Sequence, residues 1–292
     1  DWAIDVAAKN GLYVILDLHA APGGQNALGA VSDVPWHDLT PHLWKGSGDV
    51  AANNQLATVA LWRAIAKRYV DHPQANALAG YDLLNEPGTP WPKGDPRKNI
   101  VVDLQRRIVD AIRSVDTKPI VFVEGDDLAQ NFDAFMGEPQ AMDENLVYEF
   151  HVYSIFPGGL WKALSEDDLA PYLALSEKHN RPLWVGEFGE ESEAWQVSLA
   201  DLLAKHQIGW AIWPWKRVAI DDGAQPVVQT MTMPTSWTPV FECLVGDFFN
   251  CSLLDRPSRS QTRAALADVL KAVDLDNCTE DADFAARMLN PS

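Results

Sequence analysis

Residues 80–87 read Gly80-Tyr81-Asp82-Leu83-Leu84-Asn85-Glu86-Pro87. A short apolar run opens on a glycine and closes on an amide, a carboxylate and a proline. Its length and flanking breakers predict a buried strand. Pro87 cannot donate a backbone hydrogen bond, so the strand stops there. The same pattern recurs on both sides. Upstream lies 12–18 (LYVILDL), and downstream lie 119–123 (PIVFV), 146–150 (LVYEF), 182–185 (PLWV) and 208–213 (IGWAIW). Helical patterns fall between them, over 55–69, 99–115, 166–178 and 195–205, with another at 260–273. Strands alternating with helices predict βαβ units and a parallel sheet. Six strands are visible. Without repeats, low-complexity segments or an interdomain linker, residues 1–292 read as a single domain.

The polar residues gather at the carboxyl ends of these strands. Asp17 and His19 close the first, Asn85 and Glu86 the second, Glu124 the third, His151 and Tyr153 the fourth, Glu187 the fifth and Trp213 the sixth. Unpaired inside a parallel sheet, such groups would be costly to bury. At the carboxyl edge they face the crevice in which α/β proteins carry out chemistry. A capped strand end explains one or two such residues, but less well such residues at six strand ends.

Two of them, Glu86 and Glu187, have matching settings. Glu86 is bracketed by Asn85 and Pro87, and Glu187 by Gly186 and the Phe188-Gly189 pair. Two carboxylates across a cleft suit glycoside hydrolysis. One holds a proton for the leaving oxygen while the other, ionised, attacks the anomeric carbon. In retaining enzymes the pair stands ~5–5.5 Å apart, too close for an intervening water.

Together these motifs resemble glycoside hydrolase family 5, a cellulase-type family of retaining β/α-barrel enzymes. The resemblance rests on Leu16-Asp17-Leu18-His19 with Ala20-Ala21-Pro22-Gly23-Gly24-Gln25-Asn26, then Leu84-Asn85-Glu86-Pro87, His151-Val152-Tyr153, Gly186-Glu187-Phe188-Gly189 and Trp213. It implies a (β/α)8 TIM barrel of which this chain shows about six units. It implies Glu86 as acid/base and Glu187 as nucleophile, in a cofactor-free double displacement on a β-linked glucan. By the same likeness Asn85 binds the sugar 2-hydroxyl, while His19, His151 and Tyr153 form the polar wall of the subsite. Trp213 becomes its aromatic floor. Linkage stays open between β-1,4 endoglucanase-like and β-1,3-glucanase-like action, with β-glucosidase and glycolipid hydrolase as further family alternatives. A non-catalytic carbohydrate-binding protein is the reading from another class.

Family members carry two strands before the one at 12–18, and the second ends in an arginine near the nucleophile. Residues 1–8 resemble the helix after that strand, so those two β/α units and the arginine have no counterpart here. The chain is therefore expected to be a fragment or a truncated form. A bare first strand is a pairing edge. It is expected to be covered by a second copy of the chain, by a rearranged segment at 225–233, or by an upstream piece.

The remaining composition bounds the partners. A formal charge of −18 disfavours nucleic acid and anionic membranes, which need clustered Lys and Arg, and suits a neutral oligo- or polysaccharide. No run reaches the ~20 apolar residues of a membrane span, and no leader is visible. The chain is read as soluble, and secreted or periplasmic. Of the 12 tryptophans, Trp36, Trp44 and Trp215 follow strand ends most closely and are expected to add sugar-stacking surfaces. No metal is expected. His37 and His42 lack carboxylates at ligand spacing, and 274–283 lacks the glycine of a calcium loop. Cys243, Cys251 and Cys278 are too few for a disulfide scaffold, although Cys243 and Cys251 are near enough in sequence to pair.

Overall fold

The computed structural model describes residues 1–29, 31–34, 38–153, 164–219, 225–245 and 256–290. The chain forms two compact units. The first comprises Asp1–Val152, Leu164–Glu187 and Gln207–Ala211. The second comprises Tyr153, Phe188–His206 and the described residues from Ile212 onward.

In the first unit α1 (Trp2–Lys9) leads into β1 (Val14–Asp17), followed by α2 (Val50–Tyr69), β2 (Leu78–Asp82), α3 (Ile100–Arg113) and β3 (Ile120–Glu124). Two short turns, α4 (Asp126–Ala129) and α5 (Asp133–Met136), precede β4 (Leu146–Val152), α6 (Glu166–His179) and β5 (Leu183–Phe188). With β6 (Gly209–Ile212) the strands make one six-stranded parallel sheet in the order β1-β2-β3-β4-β5-β6, a partial TIM barrel. All six strands fall where the sequence places them.

Local chemistry accounts for the elements. Along α3, Val101, Leu104, Ile108 and Ile112 are buried at helical spacing, one apolar stripe turned to the sheet. Ser165 and Asp168 form a capping box at the start of α6, and Asn180 in the left-handed conformation ends it, satisfying backbone groups a helix leaves open. In β4 the side chains alternate, as a pleated strand requires. Tyr148 stacks edge-on against Phe132 and Phe135, and Phe150 lies flat on Tyr172 at 4.0 Å. Glu149 and His151, on the other face, are also buried. The helix-facing side of this sheet is therefore aromatic, and the opposite side carries buried ionisable groups.

Gly80 lets β2 approach β3. A Cβ there would strike the Phe122 ring and the Ile120 carbonyl. Strand β1 lies at the sheet's edge.

In the second unit α7 (Glu193–Lys205) starts at Ser192, whose hydroxyl accepts from the Trp195 amide. Strands β7 (Lys216–Val218), β8 (Gln229–Met231) and β9 (Thr279–Glu280) form a separate three-stranded sheet. Helices α8 (Thr238–Val245), α9 (Arg259–Ala272) and α10 (Ala282–Leu289) complete it. Helix α10 buries Phe284 and Met288, and its Arg287 pairs with Glu193 at 2.5 Å. Within 225–233, proposed above as a cover for the first strand, β8 instead pairs with β7 and β9. Its backbone groups are already used in that ladder, so that expectation is corrected.

Candidate active site

At the exit of β2 the chain turns sharply, and Glu86 takes a left-handed backbone conformation (φ 48°). A non-glycine residue holds that conformation only when its surroundings fix it. They do so here from several directions. The Glu86 amide donates to Glu124 Oε2 at 2.7 Å, and the Glu86 carbonyl accepts from Asn26 Nδ2 at 2.9 Å. Pro87 O accepts from the Leu128 amide at 2.9 Å, and Gly88 N–H donates to Gln25 O at 2.8 Å. Thr89 binds Asp126 through both amide and hydroxyl, and Asp126 is paired with buried Lys98 at 2.6 Å.

His151 is central to the first unit's polar cluster. Its Nδ1 lies 3.0 Å from Glu86 Oε1 and 3.8 Å from Glu187 Oε2, and its Nε2 lies 3.7 Å from Glu124 Oε1. One side-chain atom from each of Glu86, His151 and Glu187 lies within 4.8 Å of the others. The two glutamates picked out by the sequence thus meet, with an imidazole beside both. Such a pair can hold a transferable proton and a nucleophilic oxygen within reach of one reacting carbon.

Behind this front lies a layer that sequence reasoning missed in part. Asp82, Glu124 and Glu149 are all buried, and Glu124 and Glu149 are register partners across β3 and β4. Burial pushes all three carboxyls well above the ordinary range, and repulsion from neighbouring carboxylates, Asp17 among them in each case, adds to it. Gly186 makes room for this layer, because a Cβ there would overlap the Glu149 carboxylate. The sequence marks Glu124 as a strand-end residue and Asn26 as part of the motif after β1, but it assigns no site role to Asp82, Glu149 or Gln105. The available signal was an acid inside an otherwise apolar run, as in Tyr148-Glu149-Phe150.

The remaining candidates divide. His19 Nδ1 sits 2.8 Å from Asp17 Oδ2. That bond raises the imidazole pKa against the opposing effect of burial, and the charges of Asp17, Glu187 and Glu86 add to the rise. Asn85 is buried, and its Nδ2 has no hydrogen-bond partner among the described residues. Trp44 is corrected: it is 3% exposed, and its indole N–H donates to Gln25 O at 2.6 Å. It anchors the loop after β1 and offers no free ring face to a sugar. Trp36, like Cys251, lies outside the described residues.

Tyr153, Trp213 and Trp215 belong to the second unit. There Trp213 is 44% and Trp215 54% exposed. The Trp213 amide donates to Phe188 O at 2.8 Å. Cys243 is disulfide-bonded and Cys278 is free.

A parallel β/α half-barrel with carboxylates and an imidazole meeting at its strand exits defines a β/α-barrel protein with its polar site at the carboxyl edge. The family model for cellulase (glycosyl hydrolase family 5) matches residues 1–218. The chain belongs to glycosyl hydrolase family 5. It is 29% identical over 249 residues to a β-xylosidase of Phanerodontia chrysosporium, covering 75% of this chain and 48% of that protein. It is 30% identical over 160 residues to a probable glucan 1,3-β-glucosidase A of Aspergillus fumigatus, covering 53% of this chain and 33% of that protein. The chain thus spans half or less of the length of these curated relatives. In fold it is similar to endoglucanase Cel5A of Thermotoga maritima, with a TM-score of 0.52 and 22% identity over 73% of this chain and 68% of that one. Among the described residues no helix is long and apolar enough to cross a membrane.

Proposed function

We propose that this chain carries the centre of a retaining glycoside hydrolase that cleaves a β-linked glucan, with endo-β-1,4-glucanase-like action. Glu187 attacks the anomeric carbon and forms a glycosyl-enzyme while Glu86 protonates the leaving oxygen. Glu86 then takes a proton from the water that releases the sugar. The observation that carries this reading is the approach of Glu86, His151 and Glu187 within 4.8 Å. That spacing suits the close carboxyl pair of double displacement better than the ~6.5–9.5 Å of inverting enzymes.

Asn85 fits as the donor to the sugar 2-hydroxyl, since its buried Nδ2 lacks a protein partner and a ligand would satisfy it. His19, in the same unit, fits as a further polar contact; the roles of Tyr153 as a polar contact and of Trp213 and Trp215 as platforms for the apolar face of a pyranose are carried by the family resemblance alone. Two of the relatives' names, a β-xylosidase and a glucan 1,3-β-glucosidase, specify β-linked saccharides, and a third is an endoglucanase. Secretion fits the disulfide at Cys243, because such bonds persist in oxidising compartments.

The test is hydrolysis of aryl β-glycosides, cello-oligosaccharides and laminarin, with the anomeric form of the first product followed by NMR. Turnover with retained configuration, abolished in Glu187→Ala, is expected. Saccharide binding without turnover in the unmodified protein would support a carbohydrate-binding module instead. Inverted configuration would overturn the assignment of Glu187 as nucleophile.

A further inference from the structure

The two-carboxylate chemistry uses Glu86 and Glu187 but leaves the buried carboxyl behind them without a task. Glu124 is fixed with unusual care. Gln105, wholly buried on α3, donates to its carbonyl at 2.7 Å and accepts from its amide at 3.2 Å. Its side chain then points two ways. Oε2 accepts from the Glu86 amide at 2.7 Å. Oε1 has no hydrogen-bond partner among the described residues and faces His151 Nε2 at 3.7 Å. On its opposite side, the His151 ring presents Nδ1 to Glu86 Oε1 at 3.0 Å. Glu124 therefore reaches Glu86 by two routes, one through the backbone and one through the imidazole.

We infer that Glu124 is a positioning residue for Glu86, anchoring its amide through Oε2 and fixing His151 as the Nδ1–H tautomer through Oε1. This rests on the reading of Glu86 as acid/base. The groups facing Glu124 are Asp17 of β1, Asp82 of β2, Glu149 and His151 of β4, and Glu86 itself. Burial first, then repulsion from Asp82, Glu149 and Asp17, pushes the Glu124 carboxyl well above the ordinary range, against the lowering effect of the Glu86 amide, and so favours its neutral form. A neutral acid that accepts at Oε2 carries its proton at Oε1, where His151 Nε2 stands 3.7 Å away; a Glu149 carboxyl oxygen lies within 4.8 Å of the same pair, but the imidazole nitrogen is the more basic acceptor. The gap is longer than a hydrogen bond and closes with a small side-chain rotation, as unliganded sites commonly require.

With Nε2 accepting, Nδ1 carries the ring proton and donates to Glu86 Oε1. That donation persists in both protonation states of Glu86. The transferable proton is thereby confined to the other oxygen, Oε2. Over one cycle it passes from Oε2 to the leaving group and is replaced from the attacking water. The protons on Glu124 and His151 stay in place.

The tautomer of His151 can be read directly in protein labelled with 15N-histidine, from two-bond 1H–15N correlations at neutral pH. The Nδ1–H pattern is expected. Glu124→Leu should convert it to the Nε2–H form or a mixture and lower kcat by roughly 10²-fold, with KM little changed. Glu124→Gln should keep the pattern and recover most of the loss, because its carbonyl still accepts from Glu86 and its amide still donates to Nε2. An imidazolium or Nε2–H histidine in the unmodified protein would overturn the inference. So would a Gln variant as impaired as the Leu variant. If the Leu variant does not fold, the tautomers of the unmodified and Gln proteins decide. Absence of turnover together with the Nδ1–H pattern would sink the proposed activity and leave the role of Glu124 standing.

Discussion

Asn85 and Trp44 show how two residues with similar sequence credentials take opposite roles once burial is known. Both follow strand exits, and both are buried. Trp44 spends its donor on Gln25 O, so its ring is part of the scaffold. Asn85 keeps an amide donor unspent, which costs folding free energy of about 1–3 kcal/mol unless a ligand repays it. The asymmetry gives a paired expectation for Asn85→Ala. The fold should be unharmed or slightly more stable, since an unsatisfied group is removed. The kcat/KM for a glucoside should fall roughly tenfold to hundredfold, the kinetic equivalent of one lost buried hydrogen bond. With a 2-deoxyglucoside the variant and the unmodified protein should be nearly equal. Equal losses on both substrates would place Asn85 away from the 2-hydroxyl.

At the scale of elements, the support for Glu86 comes from the turn after β3. Asp127, Leu128 and Ala129 all have positive φ, from 56° to 63°, and each such residue costs of order 1–3 kcal/mol. Lys98 holds the turn against that strain, pairing with Asp126 at 2.6 Å and Asp127 at 2.7 Å. The turn in turn holds Pro87 and Thr89. Removing the lysine takes the cation from buried Asp126 and leaves it, among the described residues, only the Thr89 donors. Lys98→Met is therefore expected to destabilise the protein by about 3–5 kcal/mol. Denaturant unfolding would measure it, and the double variant Lys98→Met/Asp126→Leu should regain part of the loss. A loss no larger in Lys98→Met than in exposed Lys93→Met would show that the turn holds itself.

This arrangement also marks where sequence reading stops. The strands from β1 to β6 were legible because short apolar runs between breakers have few alternative placements. Glu86, His151 and Glu187 were legible because parallel strands deliver their exits to one edge. The left-handed turn was not, since Asp126-Asp127-Leu128-Ala129 contains neither glycine nor asparagine, and the Lys98 contact to Asp126 comes from 28 residues away. Strands β7, β8 and β9 were missed for a related reason. They are three, three and two residues long, too short to show a period of two. The burial of Glu149 was not legible, because a lone acid in a strand is far more often exposed than buried.

Over the whole molecule, those buried acids set how stability depends on pH. Asp82, Glu124 and Glu149 hold protons in the native state that they release when unfolded, because burial raises each above its unfolded value. Between the unfolded carboxyl pKa near ~4 and the raised native values, the native state binds more protons than the unfolded one, so stability falls as pH rises. His19 acts in the same direction. Its raised pKa contributes stability that is fully present below the unfolded value of ~6.5 and lost as pH climbs through the native one. Asp143 acts oppositely. Its bonds with Arg113 lower its pKa, so its contribution is present above ~4 and lost on acidification. The formal charge of −18 adds self-repulsion that grows as surface carboxylates ionise. These signs together place the maximum of thermal stability on the mildly acidic side, between about pH 4 and pH 6. Glu149→Gln removes one buried ionisable group without changing its size. Its Tm should rise relative to the unmodified protein, and the gain should be larger at pH 8 than at pH 5. Calorimetry across that range checks both statements. A Tm that climbs steadily from pH 5 to pH 8, or a Gln variant whose gain does not depend on pH, would mean that Glu149 is ionised in the folded protein and held by a partner from outside the described residues.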